Sequence, residues 1–364
     1  MLVLGGAVAT GRLLGGMVGK LPISSYSRRQ LPGFAIGDGT SSAIRGEGGV
    51  PEADIVGNLW RDHQLWSEAA SSLQSRIKAL RRVQLVLAAA GALLATASAT
   101  LTLDAVARSA LAAVSTLAIA FTAFIAQHFL SSKLVDRWPR ARSISEGLKS
   151  EVFKYRAAAG PYAIGSAPDG NTPLELLVER ASEIQKAGAD LRSCLPPMPS
   201  RPTNPPSALS SSAYLRLRLD EQIEGYYLKR SRENQGLATR FSRLNLAFLA
   251  AATAISALTA VGMATQLGAW VAVATTISVA FATHSAVNRF EFLASTYARQ
   301  AGELRHLALK WQARSDRNQP QAWSEFVLAC EETISAENRA WMAKMTEEVK
   351  GVADVVKAVS GERE

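Results

Sequence analysis

Long stretches without a charged residue constrain this chain more than any other feature of its sequence. Two of them run from Val83 to Leu103 and from Ser109 to Ser132, and the stretch from Leu244 to Asn288 is long enough for two more helices. A helix of about 21 residues spans roughly 31 Å, which matches the ~30 Å hydrocarbon core of a bilayer. The sequence therefore predicts four transmembrane helices; buried helices of a soluble protein are the competing interpretation.

The spacing of these stretches predicts two helical hairpins. Only Asp104–Arg108 separates the first two stretches, so the helices that they form must be antiparallel neighbours. A turn at Thr265–Gly268 is expected to divide the long stretch into two spans. The predicted spans are about 83–103, 109–132, 244–264 and 267–288.

Basic residues crowd one end of every predicted span, whereas the hairpin tips contain Arg108 alone. Because Lys and Arg are enriched in cytoplasmic loops, we expect a multi-pass protein of the inner (plasma) membrane with cytoplasmic N- and C-termini. The basic residues behind the net charge of +9 then lie beside the predicted spans, at the membrane border. For this reason we expect no nucleic-acid partner. The basic residues concerned are Arg76, Lys78, Arg81, Arg82, Lys133, Arg137, Arg140, Arg142, Lys229, Arg230, Arg232, Arg240, Arg243, Arg289 and Arg299.

The two halves of the chain resemble each other at fixed offsets. Leu65–Trp66 aligns with Tyr226–Tyr227 at an offset of 161 ahead of the spans, and Leu148–Lys149 aligns with Leu304–Arg305 at an offset of 156 behind them. The five-residue difference falls in the hairpin tip. Since both halves point the same way, the pattern indicates a parallel tandem repeat.

These patterns divide the chain into four segments. Residues 1–55 are rich in glycine and are expected to form a flexible tail, and the units themselves are expected at 56–194 and 213–358. Between them, residues 195–212 carry six prolines among serines, which predicts an extended, semi-rigid linker. The predicted fold class is an all-α membrane protein with two tandem two-helix hairpins and long cytoplasmic helices.

Long helices are expected to project from the membrane. Residues from Trp60 to Arg82 contain neither proline nor glycine and lead straight into the first span. Tyr214 to Arg243 is similar, although Gly225 and Gly236 weaken the helical pattern there.

The segment 321–357 has the clearest amphipathic pattern. Its apolar stripe includes Phe326 and Cys330, whereas Glu331 and Glu332 are assigned to the opposite, polar face. Such a stripe needs a partner. That partner is either the projecting helix of the same unit or the equivalent helix of another subunit in a coiled coil.

Motifs of catalysis or cofactor binding are absent from the sequence. It contains no GxGxxG, HExxH, CxxC or GxSxG pattern, and Gly19–Lys20 lacks the earlier glycine of a phosphate-binding loop. With four histidines and two separated cysteines, a metal site is not expected either. We therefore expect no enzyme, no cofactor and no metal.

Four polar residues near the ends of the second and fourth spans are candidates for a pore or gate. His128 and His284 are related by the offset of 156, Gln127 precedes the first, and Asn288 lies one turn after the second. Polar groups inside a membrane tend to face a bundle interior or an aqueous path. The alternative is structural, since an imidazole this close to the interface can reach the headgroups or cap carbonyls.

The hairpins and the helices that follow them resemble the SLATT superfamily, the two-transmembrane effector domains associated with SMODS nucleotidyltransferases and SLOG sensors. The resemblance covers roughly residues 56–358. It rests on Leu148–Glu151 leading to Gly160–Tyr162, on Tyr226–Tyr227, and on FVLACEETISAENRAW from Phe326 to Trp341.

This resemblance implies a membrane effector of bacterial conflict and nucleotide-signalling systems that forms pores or perturbs the bilayer. Small residues at helical spacing in the first span, such as Gly91, Ala92 and Ala95, separately predict close packing, and we expect a homo-oligomer. Because no nucleotidyltransferase or nucleotide-sensing domain is recognised in the sequence, the sensor is expected to be either a separate nucleotide-signalling or sensor protein, as partner, or the cytoplasmic helices themselves. A non-conducting scaffold or sensor that recruits cytoplasmic partners is the alternative function.

Overall fold

The structure, a computed structural model, describes residues 51–163, 172–263 and 265–336. Over these residues the chain forms helices and turns without a strand. Four helices are long and apolar enough to cross a membrane. The predicted all-α membrane fold with two tandem hairpins is therefore confirmed.

Helix α1 (Glu52–Thr100) runs unbroken through the first projecting segment and the first span. Its 49 residues correspond to about 74 Å at ~1.5 Å per residue, more than twice the bilayer core. The helix starts directly after Pro51, with Glu52 and Asp54 in the first turn, where negative charge is favourable. It therefore begins inside the segment predicted as a tail (1–55), whose residues 1–50 lie outside the described part.

The first hairpin tip is shorter than the sequence indicated. Helix α2 (Ala105–Phe124) begins at Ala105 and not at Ser109, because the side chain of Asp104 caps it by accepting a hydrogen bond from the Ala107 amide at 2.7 Å. Arg108 thus lies in the first turn of α2 and not in the tip. Its guanidinium donates to the carbonyl of Leu103 at 3.4 Å.

The two spans of this hairpin approach closely at Gly91. The hydroxyl of Ser115 donates to the Gly91 carbonyl at 2.8 Å, and a Cβ at Gly91 would lie 2.8 Å from the side chain of Ile119. After α2 the chain makes a π-helical turn (Ile125–Phe129) and returns as α3 (Ser132–Arg156). Helix α3 packs along the part of α1 that precedes its span.

The second half repeats this arrangement. Helix α5 (Ser211–Ala260) pairs with the span α6 (Gly268–Asn288) and with the return helix α7 (Phe290–Ala313). Hydrogen bonding of the π type runs from Leu215 to Leu228, and the helix continues through Gly225 and Gly236 without a break. Before α5 lies a shorter helix of the first half, α4 (Pro173–Lys186).

The second tip begins earlier than predicted. Helix α5 ends at Ala260, because Gly262 adopts the left-handed conformation that terminates many helices. The span α6 starts at Gly268 and ends at Asn288, close to the predicted 267–288. Arg289, with a φ of 53°, then redirects the chain into α7.

The helices outside the spans pack into what we call the head. Its main core contains residues of both halves, among them Phe153 of α3, Tyr214 of α5 and Trp311 of α7. Residues 320–336 form a further helix, α8, which also contributes to this core. Beyond the head, α1 packs against α6, so the halves are joined in the membrane as well.

The apolar stripe of α8 is buried. Val327, Cys330 and Ile334 are at most 2% exposed and lie in the core that also holds Tyr214 and Trp311 of the same half. Of the two partners expected for this stripe, the structure favours the projecting helix of the same unit. Residues 337–357 of the predicted amphipathic helix lie outside the described part.

The proline-rich segment has no regular secondary structure between Leu195 and Ser210, as expected for a linker, and it is bound along α1. Its Thr203 hydroxyl accepts a hydrogen bond from the Trp60 indole at 3.1 Å, and the Ser200 amide donates to Glu68 at 2.7 Å. The Leu209 amide donates to the carbonyl of Arg156 at 2.8 Å. The segment is thus part of the head surface.

Two glycines of the head provide a matched test of this packing. Gly188 follows α4, and a Cβ there would clash with Ile144 and stand 2.7 Å from the Trp66 ring, whereas a Cβ at Gly236 would meet nothing within 4 Å. We expect Gly188→Ala to lower the free energy of unfolding by about 1–3 kcal/mol. Gly236→Ala should raise it by about 0.5–1 kcal/mol, because alanine favours a helix.

Thermal unfolding in detergent, followed by circular dichroism, measures both effects. A Gly188→Ala protein as stable as the parent would show that this side of the head is packed differently.

Candidate functional site

The sequence-predicted pore residues of the second span lie on the surface of the single chain. His128 and Gln127 fall in the π-helical turn at the end of α2, and both side chains are exposed. The His128 ring stacks on Phe124 with 4.4 Å between ring centroids, and its Nδ1 lies 3.3 Å from the Phe124 carbonyl. A π turn inside a helix is frequent at functional positions.

The equivalent residues of the fourth span occupy a different environment. His284 is half-buried, 4.8 Å from Phe241 and 6.2 Å from Phe290 between ring centroids. Asn288 donates to the His284 carbonyl at 2.8 Å and accepts a hydrogen bond from Arg81 of α1 at 3.3 Å. Asn288 therefore joins the second hairpin to the first.

Within the described residues, the structure brings Asn288 and His284 together and leaves Gln127 and His128 on a separate surface. A role of these four residues in a pore or gate stays a prediction.

A polar pair that links the two spans of each hairpin was missed from the sequence. In the first hairpin, the Gln84 amide donates to the Thr122 carbonyl at 3.1 Å. In the second, the Ser278 hydroxyl donates to the Asn245 carbonyl at 3.1 Å. These residues are related by the same offsets of 161 and 156. Applying the offsets to every polar residue of the spans would have revealed the pair.

A buried charged pair lies at the centre of the head. Arg218 of α5 donates to both carboxylate oxygens of Glu331 on α8, at 2.9 and 2.7 Å, and both residues are at most 2% exposed. The Tyr214 hydroxyl donates to the same carboxylate at 2.9 Å. The Arg218 guanidinium also lies 4.8 Å from the centre of the Phe153 ring of α3. Three helices from both halves thus meet at one guanidinium.

The assignment of Glu331 to the polar face of the C-terminal helix is wrong. Glu331 follows Val327 by four residues and precedes Ile334 by three, so it lies on the apolar stripe. The bidentate pair with Arg218 offsets the cost of burying both charges. Sequence spacing alone contained this signal, while the identity of the partner required the fold.

Further charges surround this pair. Burial favours the neutral form of Glu146, but the neighbouring cations Lys149, Arg218 and Arg142 outweigh it and lower the pKa of Glu146 to about 2. Burial lowers the pKa of Lys149, opposed by the carboxylate of Glu146. Within the described residues, Glu146 Oε2 and Arg218 Nη1 are buried without a hydrogen-bond partner. The head therefore holds a charged cluster in a largely apolar interior.

His63 joins α1 to α3 beside this cluster. Its Nδ1 lies 2.9 Å from the carbonyl oxygen of Ser145, and the Ser145 hydroxyl donates to the His63 carbonyl at 3.0 Å. Burial and the charge of Lys149 lower the pKa of His63 to about 4. The imidazole is thus neutral at neutral pH and acts here as a hydrogen-bonding bridge between two helices.

An open cleft of about 520 Å³ runs between α3 and α8 over the charged cluster. Two of its carboxylates are already engaged, because Glu331 binds Arg218 and Glu151 accepts a hydrogen bond from Tyr162 at 2.5 Å. Across residues 51–336, leaving out the undescribed gaps, no cluster of His, Cys, Asp or Glu could hold a metal ion. At this cleft the two engaged carboxylates hold parts of the head together.

Removing one partner of the buried pair tests its role. We expect Glu331→Gln to lower the free energy of unfolding of the head by about 3–5 kcal/mol, because the Arg218 charge would remain buried without a counter-charge. The exposed neighbour Glu332 is the control, and Glu332→Gln should change this value by less than about 1 kcal/mol. Denaturation followed by tryptophan fluorescence reports on Trp311 and Trp323, which lie in the same core.

The double variant Arg218→Met with Glu331→Leu should recover most of the lost stability, because it removes both charges. Equal stability of the Glu331→Gln and Glu332→Gln proteins would contradict a buried pair.

Comparison with known proteins gives two family matches. Residues 214–341 match the family described as SMODS and SLOG-associating 2TM effector domain 1 (SLATT_1), and residues 64–169 match a family of unknown function, DUF4231. No curated protein and no solved structure matches the chain. The first match covers α5, both spans of the second hairpin, α7 and α8. Residues 214–341 of this membrane protein therefore form a SLATT-type domain.

Proposed function

We propose that this chain is a membrane effector that acts as a homo-oligomer, by forming a pore or otherwise perturbing the bilayer, in a bacterial conflict or nucleotide-signalling system. The description of the family matched by residues 214–341 supports the effector role. The proposed action is non-enzymatic. The basic borders of the spans support an inner-membrane location with both termini in the cytoplasm.

The observation that carries the proposal is the small buried fraction of the spans. Only 11% of the most apolar segment of α1, α2 and α5 is buried within the chain, and 28% of that in α6 and its continuation. The two spans of the first hairpin approach closely at Gly91, where a Cβ would lie 2.8 Å from the side chain of Ile119. Lipid or further copies of the chain must cover the parts of the spans that are not buried. Small residues let transmembrane helices pack closely against each other, which supports further copies of the chain.

Hydroxyl groups on these outer faces do not by themselves require water. Thr116, Thr253 and Thr275 are exposed, and each donates to the carbonyl four residues earlier in its own helix. The exposed amide of Gln127 and imidazole of His128 are costlier to place against lipid. We therefore propose that the end of α2 faces an aqueous path between copies.

A signal that reaches the head has a direct mechanical route to the spans. Helices α1 and α5 each continue from the head into the bilayer without an interruption. A displacement of the head that a separate sensor protein produces would therefore move the spans as rigid extensions. The second half carries the SLATT match, and we propose that the first half is a diverged copy of the same module.

A non-conducting scaffold is the second candidate function. It is favoured by the self-satisfied threonine hydroxyls, because such spans can face lipid without forming a lumen. A scaffold would tolerate substitution of the polar residues at the end of α2, whereas a pore would not.

Single-channel recording in planar bilayers separates the two functions. We expect the purified protein to conduct ions, and we expect Gln127→Ala and His128→Ala to change its unitary conductance, because both side chains would line the path. His306→Ala is the matched control, since His306 is an exposed histidine of α7 outside the spans. Conductance unchanged by the two substitutions in α2 would remove the pore role of these residues, and silent bilayers with dye-tight liposomes would favour the scaffold.

A further inference from the structure

A cleft of about 450 Å³ lies where α5, α6 and α7 meet at the end of the fourth span. One wall is the last two turns of α6, where Ala282 and Ser285 lie three residues apart and share one face, and Arg289 follows directly after the helix. The other walls come from α5 and from the start of α7. The remaining lining residues are Phe241, Ser242, Asn245, Ala286, Phe290, Glu291 and Phe292.

The position of the cleft is the level at which a span leaves the hydrocarbon core. The uncharged part of α6 ends at Asn288, and Arg289 breaks the helix with a φ of 53° before α7 begins. On α5, the cleft touches Ser242 and Asn245, where the charged part of that helix gives way to its span. The cleft therefore lies where the apolar spans give way to charged helices.

Its lining is apolar with a few polar groups, as in sites for amphipathic ligands. Phe241 and Phe290 stack with 5.7 Å between their centroids and form the floor, and Phe292 remains 36% exposed. Ser242 and Ser285 add hydroxyl groups beside these rings. A lipid could place its headgroup on the polar side and a chain along the apolar side.

Positive charge is concentrated at this point. Arg289 lines the cleft, and Arg81 of α1 reaches the same turn, where it donates to the Val287 carbonyl at 3.1 Å. Burial, and then the charge of Arg289, lower the pKa of Arg81, so the two guanidinium groups are close enough to disfavour each other. On α5, the exposed Arg240 and Arg243 flank the residues that line the cleft.

We propose that this cleft is a binding site for an anionic phospholipid, with the phosphate at Arg289 and an acyl chain beside Ala282 and Phe241. Basic pockets between transmembrane helices at the border of a membrane bind such headgroups. The cleft also contains one carboxylate, Glu291, whose side chain is exposed at the rim. The arginines around it exceed this single negative charge, which favours an anionic lipid over a zwitterionic one.

Lipid-dependent thermal stability of the full chain in a neutral detergent tests this site. Phosphatidylglycerol should raise the melting temperature in a saturable manner, because a ligand that binds the folded state stabilises it. Phosphatidylcholine, phosphatidylethanolamine and inorganic phosphate should have little effect. Arg289→Asn should raise the apparent Kd for phosphatidylglycerol about tenfold, as expected for the loss of one charge-assisted contact.

Asparagine is chosen because it tolerates the left-handed backbone of this position. Ala286→Leu, which narrows the cleft from an exposed position, is a second variant that keeps every charge and should also weaken binding. Arg137→Gln is the matched control. It removes one exposed positive charge from α3 in the first half, and it should leave the apparent Kd unchanged.

Equal stabilisation by phosphatidylcholine or phosphatidylethanolamine would overturn the preference for an anionic lipid. Stabilisation by inorganic phosphate alone would overturn the role of the apolar walls. An equal loss of binding in Arg137→Gln would show that only the overall positive charge at the membrane border matters, and it would overturn a specific site at this cleft. None of these results depends on whether the chain forms a pore.

Discussion

The helices α1 and α5 determine the rest of this structure, because each is continuous and has one part suited to water and one part suited to lipid. The span of α1 and the span of α5 lack charges and are stable in lipid, where a helix satisfies all of its own backbone groups. The remainder of each helix is polar on one side and is stabilised by a return helix that packs along it. Every other helix of the described chain follows from this division, because each either completes a hairpin or covers the projecting part of α1 or α5.

The head links the halves through buried polar contacts as well as through apolar packing. A bidentate pair such as Arg218–Glu331 adds little net stability, but an alternative packing that separates its partners is costly. Since α8 carries Glu331 and also donates from Trp323 to the Ala157 carbonyl of the first half at 2.8 Å, it fixes one arrangement of the head. A displacement of α8 would therefore alter contacts in both halves of the chain.

The sequence predicts the membrane part well and the head poorly, for a physical reason. A stretch of about 20 residues without a charge has one stable outcome in lipid, so four long apolar helices could be predicted. The helix ends that differ from the prediction lie at the tips, where the Asp104 cap and the Gly262 turn determine them. Packing in the head depends on partners distant in sequence. The role of Glu331 and the attachment of the linker at Thr203 could not be derived without them.

Some positions related by the repeat make equivalent contacts, and others do not. Its offsets identified two equivalent histidines, and the structure places one of them on an exposed surface and the other between aromatic rings. Equivalent positions therefore do not imply equivalent environments once the halves pack against each other. The polar pairs at Gln84 and Asn245, in contrast, have kept the same function of joining two spans.

Labelling with a membrane-impermeant maleimide tests most directly whether the spans cross the bilayer with the head on the cytoplasmic side. Cys194 is replaced by serine, Cys330 is buried, and single cysteines are introduced at Met263 in the second tip and at Leu309 in the head, which are 78% and 62% exposed. We expect Met263→Cys to react in intact spheroplasts and Leu309→Cys to react only after lysis. Equal reaction of both positions before lysis, or recovery of the protein in the soluble fraction, would contradict the account.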